Sequence, residues 1–567
     1  MPARARQSRR AVGGMLTCKK ARAKHVIDRG KLPEGSAADW QNRSSCDRPP
    51  VLCYAAAAPT VRNRRVNLAR NDVNPLIRDE IGTLMRRAER EVVLCYPNSY
   101  RVAGSSLGFQ VIYRALNSRD EVACHRAVLE DSRPKPARSL EFAKELADYD
   151  AILVSIAYEL DLVNLVHLLD DAGIPPLARD RGPQYPPIIV GGPLTTSNVL
   201  PLGPFADVVV MGEADESVFT LLDWFEAGLD KAAILHAAQD VAGFWIPDTQ
   251  GDAVPNQISV EAHCLPALGQ WRSPQAEFKD MMLLEASRGC PRFCKFCVVR
   301  APVAPMRDPA LERVIAALDR PEYQEAPRVG FVGAAVSDWA PIKDALRAAL
   351  ERGKQIGISS LRADRLDEDD EFVDLLWQGG YRTMTVASDA PSQRMRGKMM
   401  KGLRERHLMG AAEQARRVGM RSFKMYVIIG LPDETDADIA ELIDFGQRLS
   451  KRMSTTITLS PFVPKLHTPL AEAPFEDPQS QMVKLKRIQR GLGGRVDVRF
   501  DSPRWAWLEY RLSLGGQELA PAIVAAARAG GSFQTWKALL GEIPADRERH
   551  AVTAAREHAL WPVTGAR

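Results

Sequence analysis

The chain has 567 residues, 26% of them charged, with 9 cysteines and a formal net charge of +5. That length suits about two to four domains with cores of their own, and it holds no run of ~18 or more apolar residues that would suit a membrane span. So few cysteines in so long a chain do not make a disulfide framework, which points to a reducing, cytoplasmic setting with no membrane partner.

Charge is unevenly spread. Residues 1–70 carry 16 Lys and Arg against 4 Asp and Glu, without a sustained helical or strand period. The stretch lacks the apolar core of a secretory signal and the interleaved aromatics of a nucleic-acid-binding arm. Residues 1–88 therefore read as a basic, disordered leader, either an extension or a start assigned upstream of a true one near Met85.

From residue 89 to 240 short Val- and Ile-rich segments alternate with amphipathic ones. Residues 91–96, 121–127, 150–156, 187–190 and 207–210 read as strands. Residues 106–117, 140–147 and 160–172, with a further segment after Ala214, read as helices. Apolar strands alternating with helices predict a doubly wound parallel sheet covered on both faces. Ligands of such sheets sit at the carboxyl ends of the strands, here Tyr96-Pro97-Asn98, Gly191-Gly192-Pro193 and Gly212-Glu213. Residues 241–279, rich in Pro and Gly, read as a linker with a hairpin.

A second alternating run, residues 280–470, shows six strands at 280–287, 328–333, 355–360, 381–387, 422–429 and 455–460. Six units are too few for a complete eight-unit barrel, so a partial (β/α)6 barrel is expected. The segment Cys290-Pro-Arg-Phe-Cys294-Lys-Phe-Cys297 follows its first strand. Three thiols on one loop fall one short of the four that a [4Fe–4S] cluster normally takes, and an open metal position is where a substrate binds. A zinc site would want a fourth Cys or His; His263 and Cys264 are isolated, and no histidine follows the loop before His407.

This spacing, with Phe296 just before the third cysteine, resembles the radical S-adenosylmethionine (radical SAM) superfamily. The resemblance implies that Cys290, Cys294 and Cys297 hold the cluster, that the open iron chelates the methionine end of SAM, and that reductive cleavage yields a 5′-deoxyadenosyl radical. It places Phe296 near adenine, and Gly333-Ala334 where the family usually carries Gly-Gly-Glu for the methionine amino group. The glutamate is missing, and Ser337 or Asp338 would have to compensate. Asp389-Ala390-Pro391-Ser392-Gln393-Arg394 resembles a segment of methylthiotransferase-like members. There Asp389 would bond ribose, Ser392 ribose or carboxylate, and Arg394 the carboxylate. Ile428 and Gly430 would pack on adenine, and Lys465 and His467 would lie near the mouth of the site.

The preceding α/β domain resembles a cobalamin (B12)-binding-like module. Residues 97–107 contain no histidine, so cobalamin is a possible cofactor without its usual histidine ligand motif. Residues 471–567 read as a mostly helical C-terminal region with a basic stretch that includes Lys484 and Arg487, a weak pointer to RNA. The reading is a radical SAM enzyme of unknown substrate, supplied with electrons by a flavodoxin or ferredoxin. The alternatives are a cobalamin-dependent radical SAM methyltransferase and a non-catalytic iron–sulfur protein. Methylthiotransfer would need three further cysteines in the α/β domain, whose core has only Cys95 and Cys124.

Overall fold

The computed structural model describes residues 73–129, 136–299 and 305–541; most of the basic leader lies outside the described residues. Five parallel strands, β1 (Arg90–Tyr96), β2 (Val122–Val128), β3 (Ala151–Ser155), β4 (Ile188–Gly191) and β5 (Val208–Val210), lie in the order 2-1-3-4-5. This is a doubly wound order whose direction reverses between β1 and β3. A sixth strand, β6 (Phe244–Trp245), adds antiparallel beside β5.

Successive strand residues point to opposite faces. Val92, Leu94 and Leu153 enter one core with the helices Leu107–Leu116 and Ser217–Glu226, whereas Val93, Cys95 and Ile152 enter the other with Asp161–Asp171. The C-terminal helices Pro503–Leu514, Ala520–Arg528 and Phe533–Gly541 complete that second face through Leu508, Leu512, Ile523 and Trp536. The far end of the chain thus returns to cover its first sheet.

Three expectations need correction here. Residues 140–147 form no α-helix, only the start of a 3-10 turn at Leu146–Asp148: Ala143 takes a φ of 52°, and Glu141 is drawn inward by Arg126, whose Nε and backbone N–H donate to its carboxylate at 2.7 Å each. That demand from a buried guanidinium outweighs helix propensity. Nor is residue 88 the end of a disordered leader. Ile77 is buried in the sheet's core, and Glu80 meets Arg126 through two bonds of 2.7 and 2.9 Å. The segment 241–279 is no loose tether either, since Trp245, Leu265, Leu268 and Trp271 are all buried.

The second half carries seven parallel strands in two sheets. β7 (Met281–Glu285), β8 (Arg328–Val332) and β9 (Gln355–Ile358) form one; β10 (Thr383–Ala387), β11 (Ser422–Ile429), β12 (Ser454–Pro461) and β13 (Asp497–Phe500) form the other. Among the described residues no ladder closes β9 onto β10. The Tyr381 hydroxyl intervenes, accepting from the Ile358 N–H at 2.6 Å and donating to the Ile358 carbonyl at 3.3 Å. One face of these strands packs under amphipathic helices such as Glu405–Arg417 and Asp436–Ser450. β13 went unrecognised because Asp-Val-Arg-Phe is largely exposed and lacks an apolar face. No helix among the described residues is long and apolar enough to cross a membrane.

Candidate functional site

The cysteine loop leaves β7 at its carboxyl end, the face where barrel chemistry is done. Its stem is pinned by backbone bonds between Arg288 and Arg307, 2.9 Å one way and 2.8 Å the other. Within it the Cys297 N–H donates to the Cys294 carbonyl at 3.2 Å, and the Lys295 N–H to the Met399 carbonyl at 3.1 Å. All three thiols are free of disulfides and half-buried. Burial pushes the Cys297 thiol up to about 11, with Cys294 and Cys290 adding to the rise. Burial also raises Cys294, against the pull of Lys401. The thiols are close enough to feel one another, and coordination would strip their protons.

These donors suit a cluster better than zinc. Among the described residues no three His, Cys, Asp or Glu side chains gather about one metal-ion position, and a cubane takes its thiolates on separate irons. Of the other described cysteines, Cys95 and Cys124 lie in opposite cores of the first sheet, which gives a second cluster no ligand set there.

Several groups fix the loop. Arg292 reaches across to Asp338, its Nε donating at 3.0 Å, and Arg365 Nε donates to the same carboxylate at 3.2 Å. Burial opposes ionisation of Asp338, but Arg292 and Arg362 hold its pKa below the usual carboxylate value. Ser337 Oγ accepts from the Arg362 N–H at 3.2 Å. Neither residue stands free to replace the missing glutamate. Gly333 comes so close to β7 that a Cβ there would lie 2.6 Å from both Ser287 oxygens. Its carbonyl accepts from Ser359 and Ser360, and Ala334 beside it is exposed.

Asp389 and Lys401 pair with each other, and both act electrostatically on the Cys294 thiol. Phe296 and Ile428 meet in one small apolar cluster with Ala390, Met395, Met399, Leu431 and Phe462. The structure thus brings Phe296, Asp389 and Ile428 to the cysteine loop. Gly430 needs its freedom, with φ at 74°, and gives its N–H to the Glu434 carboxylate at 3.1 Å. Ser392 and Arg394 go elsewhere. Ser392 is fully buried, caps the helix Gln393–Lys398 and donates to Asp438. Arg394 also pairs with Asp438. Their segment is a capped helix start.

Two family models match this chain: "Radical SAM proteins, N-terminal" over residues 108–247 and "Radical SAM superfamily" over residues 284–446. The chain belongs to the radical SAM superfamily. An uncharacterized protein of Methanocaldococcus jannaschii is 27% identical over 71% of this chain and 83% of its own length. The tRNA-2-methylthio-N(6)-dimethylallyladenosine synthase of Halalkalibacterium halodurans is 22% identical over 40% of this chain and 44% of its own length. Among solved structures, the cobalamin-dependent S-adenosylmethionine radical enzyme OxsB, with aqua-cobalamin and S-adenosylmethionine bound, aligns with 83% of this chain and 71% of its own. That match has 15% identity and a TM-score of 0.47.

The radical SAM loop is braced from the first sheet by residues that sequence reasoning took for a ligand turn. Glu213, after β5, accepts from Arg307 Nη1 at 2.9 Å, from Arg288 Nη1 at 3.3 Å and from the Val260 N–H at 2.8 Å. Asp215 and Glu285 take the rest of Arg288. The glycines at these strand ends approach the chain itself. A Cβ on Gly192 would lie 2.6 Å from the Ile156 carbonyl, and one on Gly212 2.3 Å from that of Ile258.

Beyond the end of β3 a loop from the second half reaches the first sheet. Lys465, from the loop after β12, is partly buried and donates to Glu159 at 2.8 Å and to Ser513 at 2.9 Å, while pairing with Glu509 at 2.7 Å. His467 is also withdrawn from solvent, burial lowering its pKa. The residues present do not fit a histidine-ligated cobalamin. His125, the histidine of β2, is enclosed by the Tyr149 hydroxyl at 2.7 Å and the Arg86 carbonyl at 2.9 Å. In the basic stretch Lys484 turns inward to Glu434 and Glu476, and Arg487 pairs with Asp436.

Proposed function

We propose that this radical SAM enzyme cleaves S-adenosylmethionine reductively and uses the 5′-deoxyadenosyl radical to take a hydrogen atom from an unactivated C–H bond of its substrate. The observation that carries the reading is the convergence of three half-buried thiols with Phe296, Ile428 and Asp389 at the carboxyl ends of the barrel strands. Cys290, Cys294 and Cys297 would hold the [4Fe–4S] cluster. When bound, such a cluster supplies one electron to the sulfonium of SAM, whose S–C5′ bond then breaks to methionine and the 5′-deoxyadenosyl radical.

The chain's own groups do the rest. Arg292 on Asp338 and the Arg288–Arg307 stem keep the loop in place. Phe296 and Ile428 offer an apolar seat for adenine, which also keeps water from the radical. Asp389 is placed to accept ribose hydroxyls once Lys401 shares it. A flavodoxin or ferredoxin would supply the electron.

The test is 5′-deoxyadenosine formation by anaerobically reconstituted protein given SAM and a strong reductant. Product that disappears in Cys294→Ala supports the reading. An intact cluster that yields no product, and whose EPR spectrum SAM leaves unchanged, defeats it.

A further inference from the structure

The interior face of this barrel along β10 to β12 is polar, where such interiors are ordinarily filled by branched apolar side chains. Along β10 to β12 the residues facing the helices are Met384, Val386, Phe423, Met425, Val427, Ile457 and Leu459, all members of one buried core. Their neighbours in sequence point the other way: Thr385 on β10; Lys424 and Tyr426 on β11; Thr456, Thr458 and Ser460 on β12. Register places Lys424 between Thr385 and Thr456, and Tyr426 opposite Thr458. On the facing sheet Gly330 and Gly357 contribute no side chain; Met281 lies over both, and Leu283 also lies over Gly330.

Two of these polar groups lack the partner that their setting calls for. Lys424 is half-buried and its ammonium lies 4.7 Å from the centre of the Tyr426 ring, yet among the described residues no carboxylate pairs with it. The nearest comparable cation at the strand ends is matched, Lys401 by Asp389. On the adjacent strand Thr458 Oγ1 is buried without a hydrogen-bond partner. A buried polar atom left unbonded costs free energy, and a cation partly withdrawn from water is stabilised by an opposite charge beside it. An oxyanion between the two would relieve both. Because the lysine leans toward Tyr426, that position lies two residues, about 7 Å, below Ile428 and the apolar seat.

We propose that Lys424 and Thr458 form a subsite for an oxyanion, so that the substrate is a small polar molecule bearing a carboxylate or phosphate group. This rests on the radical SAM reading above and assigns the class of molecule the radical attacks. Tyr426 would stack on the substrate's body, and Thr385 and Thr456 would bond its remaining polar atoms.

The experiment uses the full, cluster-loaded chain and two probes, inorganic phosphate followed by 31P NMR and carboxyl-labelled acetate followed by 13C NMR. At least one probe should bind saturably and be broadened further when the cluster is reduced to its paramagnetic state. Phosphate alone binding indicates a phosphorylated substrate, and acetate alone a carboxylate. Affinity should fall tenfold or more in Lys424→Met, which loses a charge-assisted bond. It should fall less in Thr458→Val and return in Lys424→Arg. It should be unchanged in Lys398→Met, an exposed cation already paired with Asp433.

Failure of both probes to bind overturns the subsite. So does binding that survives Lys424→Met while that variant keeps wild-type iron content and circular dichroism. Protein that forms 5′-deoxyadenosine but binds neither probe refutes the subsite alone. Protein that shows the Lys424-dependent binding but never cleaves SAM refutes the catalytic reading instead.

Discussion

Glu213 grips Arg307 with both carboxylate oxygens, tying the turn after β5 to the residue that closes the cysteine loop. Both side chains are nearly enclosed, with 9% and 11% of their surface exposed. Burial alone would raise the Glu213 pKa, but Arg307 and Arg288 bring it below the ordinary value.

Replacing Glu213 by Gln strands Arg307, because Arg288 keeps Asp215 and Glu285 whereas Arg307 keeps only the Val260 carbonyl. Breaking a buried pair from one side costs about 3–5 kcal/mol, and the cost falls on the stem of the loop. Glu213→Gln should therefore reconstitute with less iron per chain while its far-UV circular dichroism stays that of the parent. Unchanged iron content would show that the loop closes without this brace.

Cys294→Ala isolates the ligand set. The thiol is half-buried and in no disulfide, so truncation disturbs little packing and the chain should stay folded. Loss of one of three thiolates should lower iron content and reduce 5′-deoxyadenosine formation to background. Turnover near the parent's would refute the three-thiol assignment.

Glu80 and Glu141 enclose Arg126, whose guanidinium also lies 4.2 Å from the Trp271 ring and 4.7 Å from the Tyr113 ring. None of the three charged side chains is exposed. Glu80→Leu leaves the guanidinium with one carboxylate in an apolar setting, at a cost of about 3 kcal/mol or more. Adding Arg126→Met should return part of it, because an apolar side chain has no charge to desolvate. Urea unfolding of the two variants decides the point, and equal midpoints would contradict it. A chain starting at Met85 would lack this carboxylate altogether.

How far the sequence could be read depends on which signals are local. Strand alternation located the first eleven parallel strands of the two halves, because Val- and Ile-rich runs such as Val92–Cys95 carry their own period. The cysteine spacing marked the loop by itself. Three features rest on partners far along the chain and left no local trace. Glu141 leaves its helical pattern for Arg126, β13 is recruited beside β12 despite its exposed residues, and Ser392 and Arg394 turn to Asp438, 46 and 44 residues away. The Gly212-Glu213 turn was visible as a motif, but its office became clear only when Arg288 and Arg307 were seen upon it. In Lys424 the signal was present and unread: a lysine amid β-branched and aromatic residues, on the polar side of an alternating strand.

Acid sensitivity should begin with His125. Its imidazole is wholly buried, and burial lowers its pKa below 6.5 despite the opposing pull of Glu141 and Glu91 and the bond to the Arg86 carbonyl. The folded chain therefore keeps the ring neutral at pH values where the unfolded chain has begun to bind a proton. Because the unfolded state then binds more protons, stability rises with pH across that interval. The contribution is complete above about pH 6.5, the ordinary value for an imidazole, and is lost as pH falls toward the depressed folded value. His467 carries the same sign for the same reason. The carboxylates held low, Glu213 and Asp338 among them, act only further down, below their own ordinary values of 4.5 and 3.8. Urea midpoints measured at pH 7.5 and 5.5 should therefore drop on acidification, and His125→Gln should shrink the drop even if it lowers both midpoints. A pH dependence identical in parent and variant would show that the ring stays unprotonated in both states, or is charged in both, and would contradict its burial as a neutral donor between Tyr149 and Arg86.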